Sequence, residues 1–182
     1  MKIYGEQVIL RPATEQDKRM IYKWLAESDI TVSITGPPHF PDHPIPTWEE
    51  FCADYRQHCF DGSAPELGRC FVITVSGIPV GQVNHRSIDQ HHHRTELDIW
   101  MSCEANCGKG YDPDALKVMC GYLLRDFGVT TFVIRPSARN RRAIRAYKKA
   151  GFKRINLSPE EIEAEYGRGD YHDSVCLIKQ MS

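Results

Sequence analysis

Gly108-Lys109-Gly110-Tyr111 opens the stretch that decides the reading of this chain, and Asn140-Arg141-Arg142-Ala143-Ile144-Arg145-Ala146-Tyr147, with Gly151-Phe152 behind it, closes it. Between them lie a helix-patterned segment, 113–127, and a short apolar strand, 131–134. In the first, Leu116, Met119, Cys120, Leu123, Leu124 and Phe127 fall at helical spacing, with Asp112 as N-cap and Pro113 at the first helical position. A second helix over 140–150 stops at Gly151, a glycine suited to a helix C-terminus. A glycine turn opening a helix presents free backbone N–H groups and the positive end of the macrodipole, which suits a phosphate. From Arg135 to Arg154 there are nine Lys and Arg and no Asp or Glu, so the ligand is expected to be polyanionic.

Outward from this stretch, the remaining elements alternate in type. Residues 8–10 read as a strand, and Thr14 with Asp17 opens a helix over 15–27 carrying Met20, Ile21, Trp24 and Leu25 on one face. Pro37, Pro38, Pro41, Pro44 and Pro46 make 33–46 a shaped loop, expected to influence ligand choice. Thr47, with Glu50 at the capping-box position, starts a helix over 48–59. Residues 70–75 and 78–86 read as strands joined by a Ser76-Gly77 turn, with Gly81 a candidate bulge. In 95–101 the period is two: Leu97, Ile99 and Met101 lie on one face, Glu96, Asp98 and Trp100 on the other. A strand from Phe152, a short acidic helix over 159–166 and a strand over 174–178 follow. This order is mixed α/β, without internal repeats, and 182 residues suit one domain, 1–182.

Composition narrows the function classes. The net charge of −1 argues against bulk binding to nucleic acid or membrane, and no apolar run approaches the roughly 20 residues a bilayer requires. The charge is segregated, however: eight acids stand against two bases between Leu25 and Cys70. Seven cysteines with no Cys-x-x-Cys point to a reduced, cytoplasmic chain, with Cys103 and Cys107 as packing residues. His91-His92-His93 and His85 offer ring nitrogens, but adjacent rings at a hairpin tip converge poorly, so no metal is expected.

Strand 96–101, Gly108-Lys109-Gly110-Tyr111 and Asn140-x-x-Ala143-x-x-x-Tyr147-x-x-x-Gly151-Phe152 together resemble the GNAT superfamily of acyl-CoA-dependent N-acetyltransferases, over about 8–178. Arg94-Thr95-Glu96-Leu97-Asp98-Ile99-Trp100 is similar to the branch of ribosomal-protein N-terminal and spermidine acetyltransferases, and the segment 135–152 to aminoglycoside 6′-N-acetyltransferases. The resemblance implies a central, mostly antiparallel, twisted sheet of 6–7 strands flanked by about four helices. It implies acetyl-CoA as co-substrate, with pantetheine against the backbone around Ile99 and Met101 and pyrophosphate on the N–H groups of Cys107, Gly108, Lys109, Gly110 and Tyr111. Arg139, Lys109 or Arg142 would meet the 3′-phosphate, and Asn140, beside Ala143, the pantetheine amides. Glu96 or Asp98 would take the proton of the attacking amine, directly or through water, and Tyr147 would protonate the leaving thiolate. The implied acceptor is a primary amine of a small cationic molecule, an aminoglycoside or polyamine, with a protein N-terminus or a non-catalytic acyl-CoA sensor as alternatives. The expected assembly is a monomer or homodimer. Two departures from the family pattern stand out: Ala105 replaces a usual Gln or Arg, and Asp112 and Asp114 bring carboxylates to the phosphate turn.

Overall fold

The computed structural model describes residues 1–35 and 45–182. The loop residues 36–44, which hold four of the five prolines that shape the expected acceptor loop, lie outside the described residues. The chain runs β1 (Ile3–Tyr4), β2 (Ile9–Pro12), α1 (Glu15–Ala26), α2 (Thr31–Thr35), α3 (Trp48–Asp54), α4 (His58–Asp61), β3 (Gly68–Val75), β4 (Ile78–Arg86) and β5 (Arg94–Met101). It continues through α5 (Tyr111–Phe127), β6 (Thr131–Ile134), α6 (Arg141–Lys149), β7 (Lys153–Arg154), α7 (Pro159–Tyr166) and β8 (Leu177–Gln180). One sheet of eight strands has the order β1-β2-β3-β4-β5-β6-β8-β7. It exceeds the expected 6–7 strands because the two-residue β1, too short to carry a period, pairs with β2.

Local chemistry accounts for most boundaries. Thr14 and Asp17 form a reciprocal cap on α1, and Thr47 and Glu50 do so on α3. Ser76 and Gly77 both take positive φ, 50° and 81°, the two left-handed residues a tight hairpin turn requires. Near Gly81 the β3–β4 register shifts, and a Cβ there would lie 2.7 Å from the Trp100 carbonyl oxygen, so the bulge position excludes side chains. Two helices depart from expectation. Helix α5 begins at Tyr111 rather than Pro113, with Gly110 as its cap at φ 89°. The helix expected over 48–59 breaks at Tyr55, and α4 restarts it, because Tyr55 turns inward to the sheet.

The sheet is buried on both faces. Phe71, Ile73, Leu97, Met101 and Phe132 pack against Leu116, Met119 and Leu123 of α5, each fully buried aliphatic contributing roughly 1.5–3 kcal/mol. On the other face Cys70, Val72 and Trp100 meet Ile21, Tyr22, Phe51 and Phe60 from α1, α3 and α4. Every strand pair is antiparallel except β5–β6, and those two strands pair only from Arg94↔Thr131 to Glu96↔Val133. Beyond Glu96, β5 runs on to Met101 without β6 beside it. That divergence opens the site.

Candidate active site

A cavity of ≈ 190 Å³ occupies the cleft where β5 and β6 part. Glu96, Asp98, Ile99, Met101, Cys107, Asn140, Arg142, Ala143 and Tyr147 line it. The tertiary structure thus gathers residues from strand 94–101, the loop before α5, and the start and middle of α6. Among the described lining residues Gly108, Lys109, Gly110, Tyr111 and Arg139 are absent; the first four form the turn at the N-terminus of α5, next to the lining residue Cys107.

The two candidate carboxylates differ sharply. Glu96 accepts two hydrogen bonds from Arg135, Nε to Oε1 at 2.8 Å and Nη2 to Oε2 at 2.7 Å. Arg135 is itself buried and donates a third bond to the Gly167 carbonyl at 2.6 Å. Asp98, on the same face of β5, makes no ion pair among the described residues. Its Oδ1 accepts the Ile99 N–H at 2.9 Å, and its Oδ2 accepts from the Tyr55 hydroxyl at 3.4 Å. Burial pushes the Asp98 carboxyl up to about 6, with Arg86 pulling against it and Asp170 and Glu96 adding to it. Tyr147 is buried on α6, and burial together with the nearby Asp98 charge holds its hydroxyl well above the ordinary tyrosine value. A phenol so placed stays protonated at neutral pH and can give a proton.

The glycine turn is shaped for backbone recognition. Gly108 and Gly110 have φ of 72° and 89°, conformations that L side chains rarely adopt. Among the described residues the N–H groups of Gly108, Lys109, Gly110 and Tyr111 find no protein acceptor, and they stand at the start of a 17-residue helix. The turn and the cleft therefore fit a diphosphate with an extended arm. The basic residues around it are more engaged than the sequence suggests. Arg142 is bidentate to Glu104, at 2.5 and 3.0 Å, and Arg139 Nε pairs with Asp173 at 3.1 Å. Asn140 caps α6 by accepting the Ala143 N–H at 3.1 Å, while its amide donates to the Ile34 carbonyl at 3.1 Å.

Asp112 and Asp114 separate into two roles. Asp114 is buried and faces away from the turn: its carboxylate accepts the N–H groups of Glu6, Gln7 and Val8 at 3.1, 2.7 and 3.0 Å, holding the first residues to α5. Asp112 lines the cavity, and burial raises its carboxyl against the pull of Arg142 and Lys149. Among the histidines, His92 Nδ1 pairs with Asp89 at 2.7 Å while His85 is buried beside Phe127. No group of three or more potential metal ligands converges among the described residues. Nor is any described helix long and apolar enough to cross a membrane.

Among the polar lining residues, sequence reasoning missed Asp54, Tyr55, Arg86, Asp170 and Tyr171, with Arg135 read only as part of a basic run. Arg86 follows Gln82 and Asn84 at period two on β4, so its face was readable from the register with β5. Asp170 lies after α7, in a segment with no periodicity, and Arg86 holds it at 2.8 Å.

Residues 7–153 match the model of the Acetyltransferase (GNAT) domain family. The aminoglycoside N(6′)-acetyltransferase type 1 of Klebsiella pneumoniae is 27% identical over 160 residues, covering 82% of this chain and 76% of that protein. The structure of AAC(6′)-Ib in complex with ribostamycin and coenzyme A is similar at a TM-score of 0.70 and 25% identity, over 96% of this chain and 94% of that one. The spermidine N-acetyltransferase from Vibrio cholerae in complex with CoA and spermine shares the fold at a TM-score of 0.70 and 20% identity, over 97% and 96% of the two chains. With a cleft between β5 and β6, a glycine turn at the head of α5 and a family match across 7–153, this chain belongs to the GNAT acetyltransferases.

Proposed function

We propose that residues 1–182 act as one acyl-transfer domain that moves acetyl from acetyl-CoA to a primary amine of a small cationic molecule, an aminoglycoside or polyamine, by direct attack. The single observation that carries this reading is the placement of Asp98: it faces the cavity where β5 and β6 part, without an ion-pair partner among the described residues, and burial pushes its carboxyl up to about 6. A base works best when its pKa lies near the working pH, so Asp98 removes the ammonium proton and frees the nitrogen lone pair. Glu96, clasped by Arg135, is the scaffold of that strand face rather than the base.

Acetyl-CoA, when bound, supplies the acetyl group as a thioester with a thiol leaving group. The chain's own residues do the rest. The N–H groups of Gly108 to Tyr111 hold the diphosphate at the helix N-terminus. The edge of β5 from Ile99 to Met101, which β6 leaves free, takes the pantetheine amides. Tyr147 keeps a proton at its hydroxyl for the departing sulfur. No covalent acyl-enzyme is required, which agrees with Cys107 being held up at about 12 by burial.

Acceptor class follows from charge. Asp54, Glu96, Asp98, Asp112 and Asp170 line the cavity against Arg86, Arg135 and Arg142, an excess of carboxylate that favours a cation. The similarity to an aminoglycoside acetyltransferase over 82% of the chain supports the same class. The test is CoA release from acetyl-CoA offered with aminoglycosides, polyamines and N-terminal peptides. Release with the first two and not with peptides is expected; turnover with peptides alone, or with none, overturns the reading.

A further inference from the structure

Three side chains from three elements meet end to end on the acceptor side of the cavity. Asn84 on β4 stands in register with Asp98 on β5. Tyr55, at the residue where α3 ends, reaches between them. Its hydroxyl accepts from Asn84 Nδ2 at 3.3 Å and donates to Asp98 Oδ2 at 3.4 Å. The ring is held independently of that hydroxyl, stacked on Phe51 at 4.5 Å and edge-on to Trp100 at 6.0 Å. With the Asn84 NH₂ turned to Tyr55, the phenol accepts from Asn84 and its one proton is left for the carboxylate. The chain then runs Asn84 to Tyr55 to Asp98.

We infer that Tyr55, aimed by Asn84, is a positioning residue for the catalytic carboxylate: it holds Asp98 in one orientation and favours its ionised form. This inference rests on Asp98 being the base of the proposed reaction. The charged and titratable groups around Asp98 are Glu96 on its own strand, Arg86 on β4 and Tyr147 on α6. Asp170 and Tyr171 approach from the segment after α7, Cys70 lies on β3, and Asp54 and Asp112 share the same cavity. Among the described residues Tyr55 is the side chain that hydrogen-bonds the Asp98 carboxylate. A bond donated to the charged form lowers a carboxyl pKa, so removing it must raise Asp98 further. Both contacts are long in the free protein, and catalytic hydrogen bonds commonly tighten when substrate closes the site.

Tyr55→Phe keeps the stacking and removes only the hydroxyl. A ¹³C-carboxyl NMR titration of the full chain without substrate should show the Asp98 midpoint rising by about half a pH unit. Asn84→Leu should move it the same way by less, and the double variant no further than Tyr55→Phe alone. In turnover, the acid limb of kcat/KM should rise by the same amount, with kcat falling and the acceptor KM little changed. An Asp98 midpoint unmoved or lowered in Tyr55→Phe overturns the inference; if that variant does not fold, Asn84→Leu decides by the same criterion. Absence of transfer by the wild-type chain to every amine would sink the proposed reaction instead, and the substrate-free titration would still decide whether Tyr55 tunes Asp98.

Discussion

The Arg135 guanidinium grips both oxygens of Glu96, at 2.8 and 2.7 Å, from a side chain only 4% exposed. Two residues along the same strand face, Asp98 has no such partner among the described residues. The pairing makes two alternating carboxylates, equivalent by periodicity, unequal: Arg135 holds one and not the other.

Breaking that pair should unfold the protein before it alters the chemistry. Glu96→Gln leaves Arg135 buried and uncompensated, at a cost of about 3–5 kcal/mol. Chemical denaturation should show the midpoint falling with an unchanged slope, while the folded fraction retains the acid limb set by Asp98. Loss of that limb in folded Glu96→Gln would return the base to Glu96.

Asp98→Asn should abolish transfer and also stabilise the fold at neutral pH. The folded carboxyl sits at about 6 against an ordinary value of 3.8. Between those values the folded state holds a proton that the unfolded chain has lost, so stability falls as pH rises through the window. Above it the cost is fully present, about 2–3 kcal/mol at most. Asp98→Asn removes that cost at pH 7 and changes little near pH 3. His85, lowered to about 4 by burial, has the opposite slope: its stabilisation is present above about 6.5 and is lost as pH falls to 4. The two slopes offset one another in the wild type, so the variant should lose stability more steeply in acid. Thermal melts from pH 4 to 8 measure both effects.

Tyr147→Phe should lower kcat by about a hundredfold and leave acetyl-CoA affinity within a few-fold, because a general acid acts only as the leaving group departs. Single-turnover rates and equilibrium binding separate the two. An unchanged rate would remove Tyr147 from the chemistry.

The two aspartates at the head of α5 should respond in opposite ways. Asp114→Ala strands the N–H groups of Glu6, Gln7 and Val8, at about 2–4 kcal/mol of stability, with CoA binding retained in the folded protein. Asp112→Asn removes a cavity-lining carboxylate beside the phosphate turn and should tighten CoA binding about threefold or more, read by calorimetry.

Much of this was legible before folding. The alternation in 95–101 placed Glu96 and Asp98 on one face, and Asn140 to Phe152 set the cap, the helix and its stop. What periodicity could not supply was partnership across the chain. Arg135 and Glu96 are 39 residues apart, Asp114 and Val8 106, Tyr55 and Asp98 43. The helix break at Tyr55 has no strong local signal; it coincides with the residue whose hydroxyl reaches another element. Three members of the basic run, Arg135, Arg139 and Arg142, meet acids outside it, so the run is less free for a ligand than its composition suggests.

The sequence by itself determined the order of elements, the glycine turn and the family, because spacing, caps and positive-φ glycines are local properties of the chain. Folding is what makes the two carboxylates of β5 different, one clasped by Arg135 and the other raised by burial. Desolvation acts on Asp98 and a guanidinium 39 residues away holds Glu96, and neither is visible until the chain brings those groups together.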